Sequence, residues 1–163
     1  MSTFNSPFPI PHSLFPIPYS PSPFPMTTVT KTVKFDAAHI LTNHEGLCRN
    51  LHGHTYRVDV SVSCDDPLAE GGMVIDFKEL KRIATAEICD RFDHAFIYNT
   101  ASEGEREIAA VVEKHGMRTV ALPYRSTAEN LARHFFEILT PLIAGLSAVT
   151  VWETADSSAT YRG

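Results

Sequence analysis

The 163-residue chain predicts an α+β domain, and three observations carry that prediction. Segments 28–39 and 52–64 alternate apolar and polar residues at the period of a half-buried β-strand. Two later segments pair a helix-start signal with apolar residues at helical spacing. The two strands are consecutive and joined by a loop, so they pair most simply as antiparallel neighbours. The two principal helices then cover one face of an antiparallel sheet.

Residues 1–26 stand apart. Eight of the 11 prolines fall there, and no residue before Lys31 carries a charge. Proline denies the backbone its ladder donors, so this stretch reads as an extended or disordered tail. It lacks the basic start and continuous apolar run of a secretory signal. Met26 directly precedes the first foldable segment, so the native chain is expected to start near it. Residues 27–163 are expected to form one catalytic domain.

In the first strand Val29, Val33, Phe35 and Ala37 share a parity with His39, with Lys31 as the exception. In the second, Tyr56, Val58, Val60 and Val62 share a face with His52 and His54, and Arg57, Asp59, Ser61 and Ser63 take the other. The region from Asp65 to Gly72 reads as a turn. Asp76 is the expected N-cap of a helix whose core face holds Phe77, Leu80, Ala84 and Ile88. Residues 105–115 suggest a shorter helix stopped at Gly116, and 119–122 a short extended piece. Ser126-Thr127-Ala128-Glu129 is a second capping signature, followed by Leu131, Phe135, Ile138 and Leu142 at helical spacing. A strand over 148–154 and a short one over 159–162 complete the chain.

Composition narrows the function. A formal net charge of −5 does not suit a nucleic-acid surface. No run is long and apolar enough to span a membrane. Cys48, Cys64 and Cys89 are too few, and odd in number, for a disulfide framework. A reducing, cytoplasmic compartment is expected.

The chemistry concentrates in Cys48-Arg49-Asn50-Leu51-His52-Gly53-His54. His52 and His54 are two apart on a strand and point the same way. Antiparallel pairing sets the end of the first strand beside the start of the second, which brings His39 to the same place and hangs Cys48 over it. Three converging imidazoles suit zinc with an open fourth position. A cysteine beside that cation would favour its thiolate. A cupin wants a glutamate four residues after the second histidine, where this chain has Val58. A metal-dependent amidohydrolase barrel needs a longer chain.

Elsewhere, Asp93-His94 sets an acid beside a base at the end of a predicted helix. Glu153 is a carboxylate in an otherwise apolar strand, which is costly unless something donates to it. Cys64 and Cys89 read as structural, as do His12, His44, His115 and His134. Arg57 and Arg162 are candidate phosphate contacts, with solvated surface as the simpler reading.

Phe35-Asp36-Ala37-Ala38-His39, Cys48 to His54, Asp76-Phe77, Asp93-His94, Thr127-Ala128-Glu129-Asn130 and Glu153-Thr154 stand in the order of a known family. From about Thr28 to Gly163 the chain resembles the 6-pyruvoyl-tetrahydropterin synthase superfamily. The Cys-x-x-x-His-Gly-His spacing and the terminal Tyr161-Arg162-Gly163 are similar to its bacterial 6-carboxy-5,6,7,8-tetrahydropterin synthase branch, which serves queuosine biosynthesis. The segment from Ala101 to Arg125 is longer than in the short bacterial members.

The resemblance implies a T-fold that assembles into a barrel of three or six copies, with sites shared between subunits. It assigns zinc to His39, His52 and His54, and makes Cys48 the proton acceptor with Asp93 and His94 as its relay. It makes Glu153 the anchor of a pterin ring, with Thr127 a further substrate contact. The implied substrate is 7,8-dihydroneopterin triphosphate. A sister enzyme making the 6-pyruvoyl product and a non-catalytic zinc-stabilised binding protein are the alternatives.

Overall fold

A computed structural model describes residues 26–66 and 71–163. The proline-rich stretch before Met26, with His12, and residues 67–70 of the expected turn lie outside the described residues.

Strand β1 (Thr27–His39) and strand β2 (His52–Cys64) form the hairpin the alternation predicts. They pair antiparallel along their whole length, with Phe35 opposite Tyr56 and His39 opposite His52. Strand β5 (Leu146–Trp152) pairs antiparallel with β2, and β6 (Ser158–Arg162) antiparallel with β5. Glu153 therefore lies one residue past its strand. On the other side, β3 (Ala95–Asn99) and β4 (Thr119–Leu122) add two parallel strands, giving the order β4-β3-β1-β2-β5-β6. The sheet is thus mixed and not antiparallel throughout as expected, because β3 and β4 join it after long connections that return the chain in the same direction. The parallel pairs are reached by helical crossovers, as parallel strands require.

One face of the sheet carries the main core. Phe35, Tyr56, Val58, Val60, Val149 and Val151 are buried there against helix α1 (Phe77–Ala84) and helix α4 (Ala128–Leu139). Each Val or Leu buried in this way contributes about 1.5–3 kcal/mol over leaving it exposed. The other face carries cross-strand polar pairs, Thr30 with Ser61, Thr32 with Asp59 and Thr55 with Asp36. Arg57 belongs to this polar surface. Its guanidinium lies 4.0 Å over the Trp152 ring and 3.2 Å from Asp59, which supports a structural role.

Asp76 caps α1 as expected, while the second signature caps α4 through Thr127 rather than through its first residue, Ser126. The Asp76 carboxylate accepts from Lys78 N at 2.6 Å, and the Thr127 hydroxyl from Asn130 N at 3.4 Å. Leu80, Ala84, Ile88, Leu131 and Phe135 are buried. Phe77 and Leu142, expected on the core faces, are 50% and 48% exposed. Phe77 is the first helical residue and sits at the edge of the face. Leu142 follows Pro141, beyond the end of α4.

Two features were not foreseen. After α1 the chain makes a π turn over Thr85–Cys89 before the short helix α2 (Asp90–Phe92). Helix α3 (Glu103–Lys114) packs through Ala109 on Ile40 and Phe96, on the sheet face opposite α1 and α4. It is the helix anticipated over 105–115. No helix among the described residues is long and apolar enough to cross a membrane.

Candidate active site

The register that pairs His39 with His52 brings three imidazoles to one end of the β1–β2 hairpin. The ligand atoms of His39, His52 and His54 lie within 4.8 Å of one another. Gly53 separates the last two because β1 passes close by. A Cβ there would meet the Ala37 carbonyl oxygen at 2.8 Å.

Two of the rings are fixed from behind by main-chain carbonyls. His39 Nδ1 lies 2.9 Å from Ser126 O, and His52 Nδ1 lies 2.7 Å from Asn50 O. The backbone of Glu153 acts on His54 and favours its charged form. A carbonyl only accepts, so Nδ1 of His39 and His52 must carry the proton. In the neutral rings the Nε2 atoms then present lone pairs, and these face each other at 3.0 Å. Two lone pairs at that distance repel unless a cation or proton lies between them. Burial, with the charges of His52 and His54, pulls the His39 imidazolium down to about 4, against the opposing pull of the Ser126 carbonyl. Burial, then His52, lowers His54 as well. A proton is thus disfavoured where a metal ion is suited, and the donor set fits zinc.

The environment extends the triad. Tyr56, fully buried on β2, sets its hydroxyl 3.3 Å from His39 Nδ1. Burial pushes that phenol up, and the charge of Glu153 adds to the effect. Glu153 therefore lies in the field of the site. Burial raises its carboxyl, the charge of Glu129 raises it further, and His52 and the Ala128 N–H oppose. Thr127 is half-buried beside Ser126, with its hydroxyl engaged in capping α4.

Asp93 and His94 follow α2. The Asp93 carboxylate accepts from Asp36 N at 2.9 Å and lies 2.9 Å from His94 Nδ1. The Asp36 N–H, then His94, holds Asp93 below the usual carboxylate range. His94 N donates to Asp36 O at 2.6 Å, and the residue adopts a left-handed φ of 57°. Its side chain is 76% exposed. A cleft of about 660 Å³ has both His54 and His94 in its wall, with Leu51, Thr55, Phe96 and Arg118. This cleft reaches His54 alone of the triad, on the sheet face that carries Asp36, Thr55 and Phe96.

Cys48 lies half-buried in a single 3-10 turn, Leu47–Arg49. Its carbonyl accepts from Leu41 N at 2.9 Å, which draws the loop towards the triad end of β1. Among the described residues no hydrogen bond joins its thiol to Asp93 or His94. The structure thus gathers His39, His52 and His54 with Glu153 in their field, sets His94 on a cleft that reaches His54, and leaves Cys48 on the adjoining loop. Cys64 and Cys89 are free thiols, and Cys89 donates to Lys34 O. Sequence reasoning missed Ser126 and Tyr56. The parity shared by Tyr56 and His54 was a usable signal for the second.

Comparison with known proteins accords with this geometry. The family described as 6-pyruvoyl tetrahydropterin synthase matches residues 28–163. A protein of Haemophilus influenzae named 6-carboxy-5,6,7,8-tetrahydropterin synthase is 41% identical over 140 residues, 84% of this chain and 99% of that one. One of the same name from Aquifex aeolicus is 34% identical, covering 82% and 96% of the two chains. Among solved structures, the 6-pyruvoyl tetrahydropterin synthase of Caenorhabditis elegans superposes with a TM-score of 0.60 at 29% identity, over 86% and 97% of the two chains.

Proposed function

Since the chain belongs to the 6-pyruvoyl tetrahydropterin synthase family, we propose that it is a lyase of the 6-carboxy-5,6,7,8-tetrahydropterin synthase type. It converts 7,8-dihydroneopterin triphosphate, with uptake of water, to 6-carboxy-5,6,7,8-tetrahydropterin, acetaldehyde and triphosphate, for queuosine and 7-deazapurine biosynthesis. The observation that carries the reading is the convergence of three imidazoles whose ligand atoms lie within 4.8 Å of one another. The names of the closely matching relatives support the carboxy product over the pyruvoyl one.

His39, His52 and His54 hold zinc, which when bound supplies Lewis acidity towards the oxygens of the substrate side chain. Glu153 accepts from paired N–H groups of the pterin ring and holds it in register. Such donors offset the cost that burial and Glu129 impose on its charge. Thr127 is a further ring contact. Cys48 removes a proton from the substrate side chain. His94, with Asp93 on its Nδ1, presents Nε2 to carry protons through the elimination and the carbon–carbon cleavage. The protein works as a homo-oligomer of three or six copies in the cytoplasm, and Cys48 of one copy meets His94 across a subunit contact.

Product analysis tests the reading. Zinc-loaded protein given 7,8-dihydroneopterin triphosphate should yield a 6-carboxy pterin by mass spectrometry and acetaldehyde in equal amount. A 6-pyruvoyl product without acetaldehyde would move it to the sister reaction. No turnover by a metal-loaded oligomer would leave a binding protein.

A further inference from the structure

Glu105 is fully buried, although it sits in the charged first turn of α3. A carboxylate removed from water needs donors, and this one has three. Asn99 N donates to Oε2 at 2.7 Å, Thr42 Oγ1 donates to Oε1 at 2.7 Å, and Thr42 N approaches Oε1 at 3.4 Å. Ser102, the N-cap of α3, bonds the same Thr42 hydroxyl at 2.9 Å. Arg125 donates to the Thr42 carbonyl at 3.4 Å.

Thr42 lies three residues past the ligand-type His39 and one residue past Leu41, whose N–H holds the Cys48 carbonyl. Asn43 then takes a left-handed φ of 66°, where the loop reverses. The reactive loop is therefore tethered at its first turn by a carboxylate from a helix on the far side of the sheet. A glutamate at this helix position commonly turns back to the N-cap N–H of its own helix. Here its two oxygens instead bridge the end of β3 and the start of the Cys48 loop. Charge-assisted hydrogen bonds of this kind are about twice as strong as neutral ones.

We propose that Glu105 is a positioning residue, which through Thr42 sets the loop that carries Cys48 over the metal centre. This rests on the reading of Cys48 as the group that takes the substrate proton. Glu105 itself touches neither metal nor substrate. The segment carrying α3 thus buttresses the site from outside.

Two variants test it in the zinc-loaded, assembled protein. Glu105→Gln keeps the volume and turns an –NH₂ towards one of the donors. Thr42→Val keeps the shape of the threonine, removes the hydroxyl and leaves α3 intact, so it serves if the first variant fails to fold. Hydrogen exchange at Leu41, His44 and Asn50 should speed up by about tenfold in each, with the β1–β2 ladder unchanged. Zinc content should stay at the wild-type level. kcat should fall by at least about tenfold while KM stays within about twofold, since misplacing a catalytic group costs rate rather than binding.

Wild-type exchange in the loop of both variants would overturn the proposal. Faster exchange with unchanged kcat would also overturn it, leaving Glu105 a structural acceptor only. Cys48→Ala runs alongside. Full turnover in that variant would sink the reading of Cys48, while the exchange rates would still decide whether Glu105 holds the loop.

Discussion

The histidine triad and His94 flank the same end of the β1–β2 hairpin and are built in opposite ways. In the triad His39 is 1% exposed, and the His39 and His52 rings are held from behind by main-chain carbonyls. At the end of α2, His94 is pinned through its backbone to Asp36 while its ring stands largely in solvent against Asp93. A ligand set must hold positions to a fraction of an ångström, so its rotamers are over-determined. A proton carrier, the role proposed for His94, must reach its partner and swing away, which suits a residue fixed only at its root. On that reading rigidity marks the binding half of the site and exposure the transfer half.

Breaking the rigid half should have the largest effect. His52→Ala should lower metal affinity by more than about 100-fold, beyond what loss of an outer-shell partner costs. Metal analysis after dialysis reads this, and unchanged zinc would refute the ligand role. Damage to the exposed half should separate turnover from binding. His94→Asn keeps a residue that tolerates the left-handed backbone. It should lose about 10²–10⁴-fold in kcat with metal content and thermal stability intact. Cys48→Ala should do the same. Loss of zinc in either variant would erase the division between the halves.

The smallest effect comes from a histidine outside both regions. His134 packs on Phe92 and lies 2.6 Å from the Tyr124 hydroxyl, with Arg91 and Glu137 as the charges that act on it. Burial, then Arg91, lowers its pKa below 6.5. The unfolded chain therefore takes up the proton first, and the contribution of the neutral ring is present above pH 6.5 and lost as pH falls through the lowered value. His134→Asn should flatten the acid side of the stability curve below pH 6.5, relative to the parent. Parallel curves would show that this ring does not titrate on unfolding.

The triad was readable because period-two parity and antiparallel register are local rules. His39, His52 and His54 needed no knowledge of distant chain. The caps at Asp76 and Thr127 were legible for the same reason. What holds the triad was hidden, because the acceptors at Ser126 and Asn50 are main-chain carbonyls, which any residue type would supply. Glu105 was hidden too. It stands among Glu103, Arg106 and Glu107 in what reads as a solvated helix start, and only the placement of α3 across β3 buries it. The parallel pairing of β3 and β4 depends on contacts between segments far apart in the chain, which local pattern does not encode. Phe77 shows the opposite failure, since apolar character and helical spacing put it on a core face that the sheet does not reach.

The approach of Ala37 O to the α-carbon of Gly53 gives the motif an indivisible unit. The two histidines on β2 cannot be grafted onto another hairpin as a pair of point changes. Any side chain between them would pry the strands apart where the third histidine has to meet them. A designer borrowing this centre must carry over the glycine, the bare stretch of backbone opposite and His39 two residues on, as one piece.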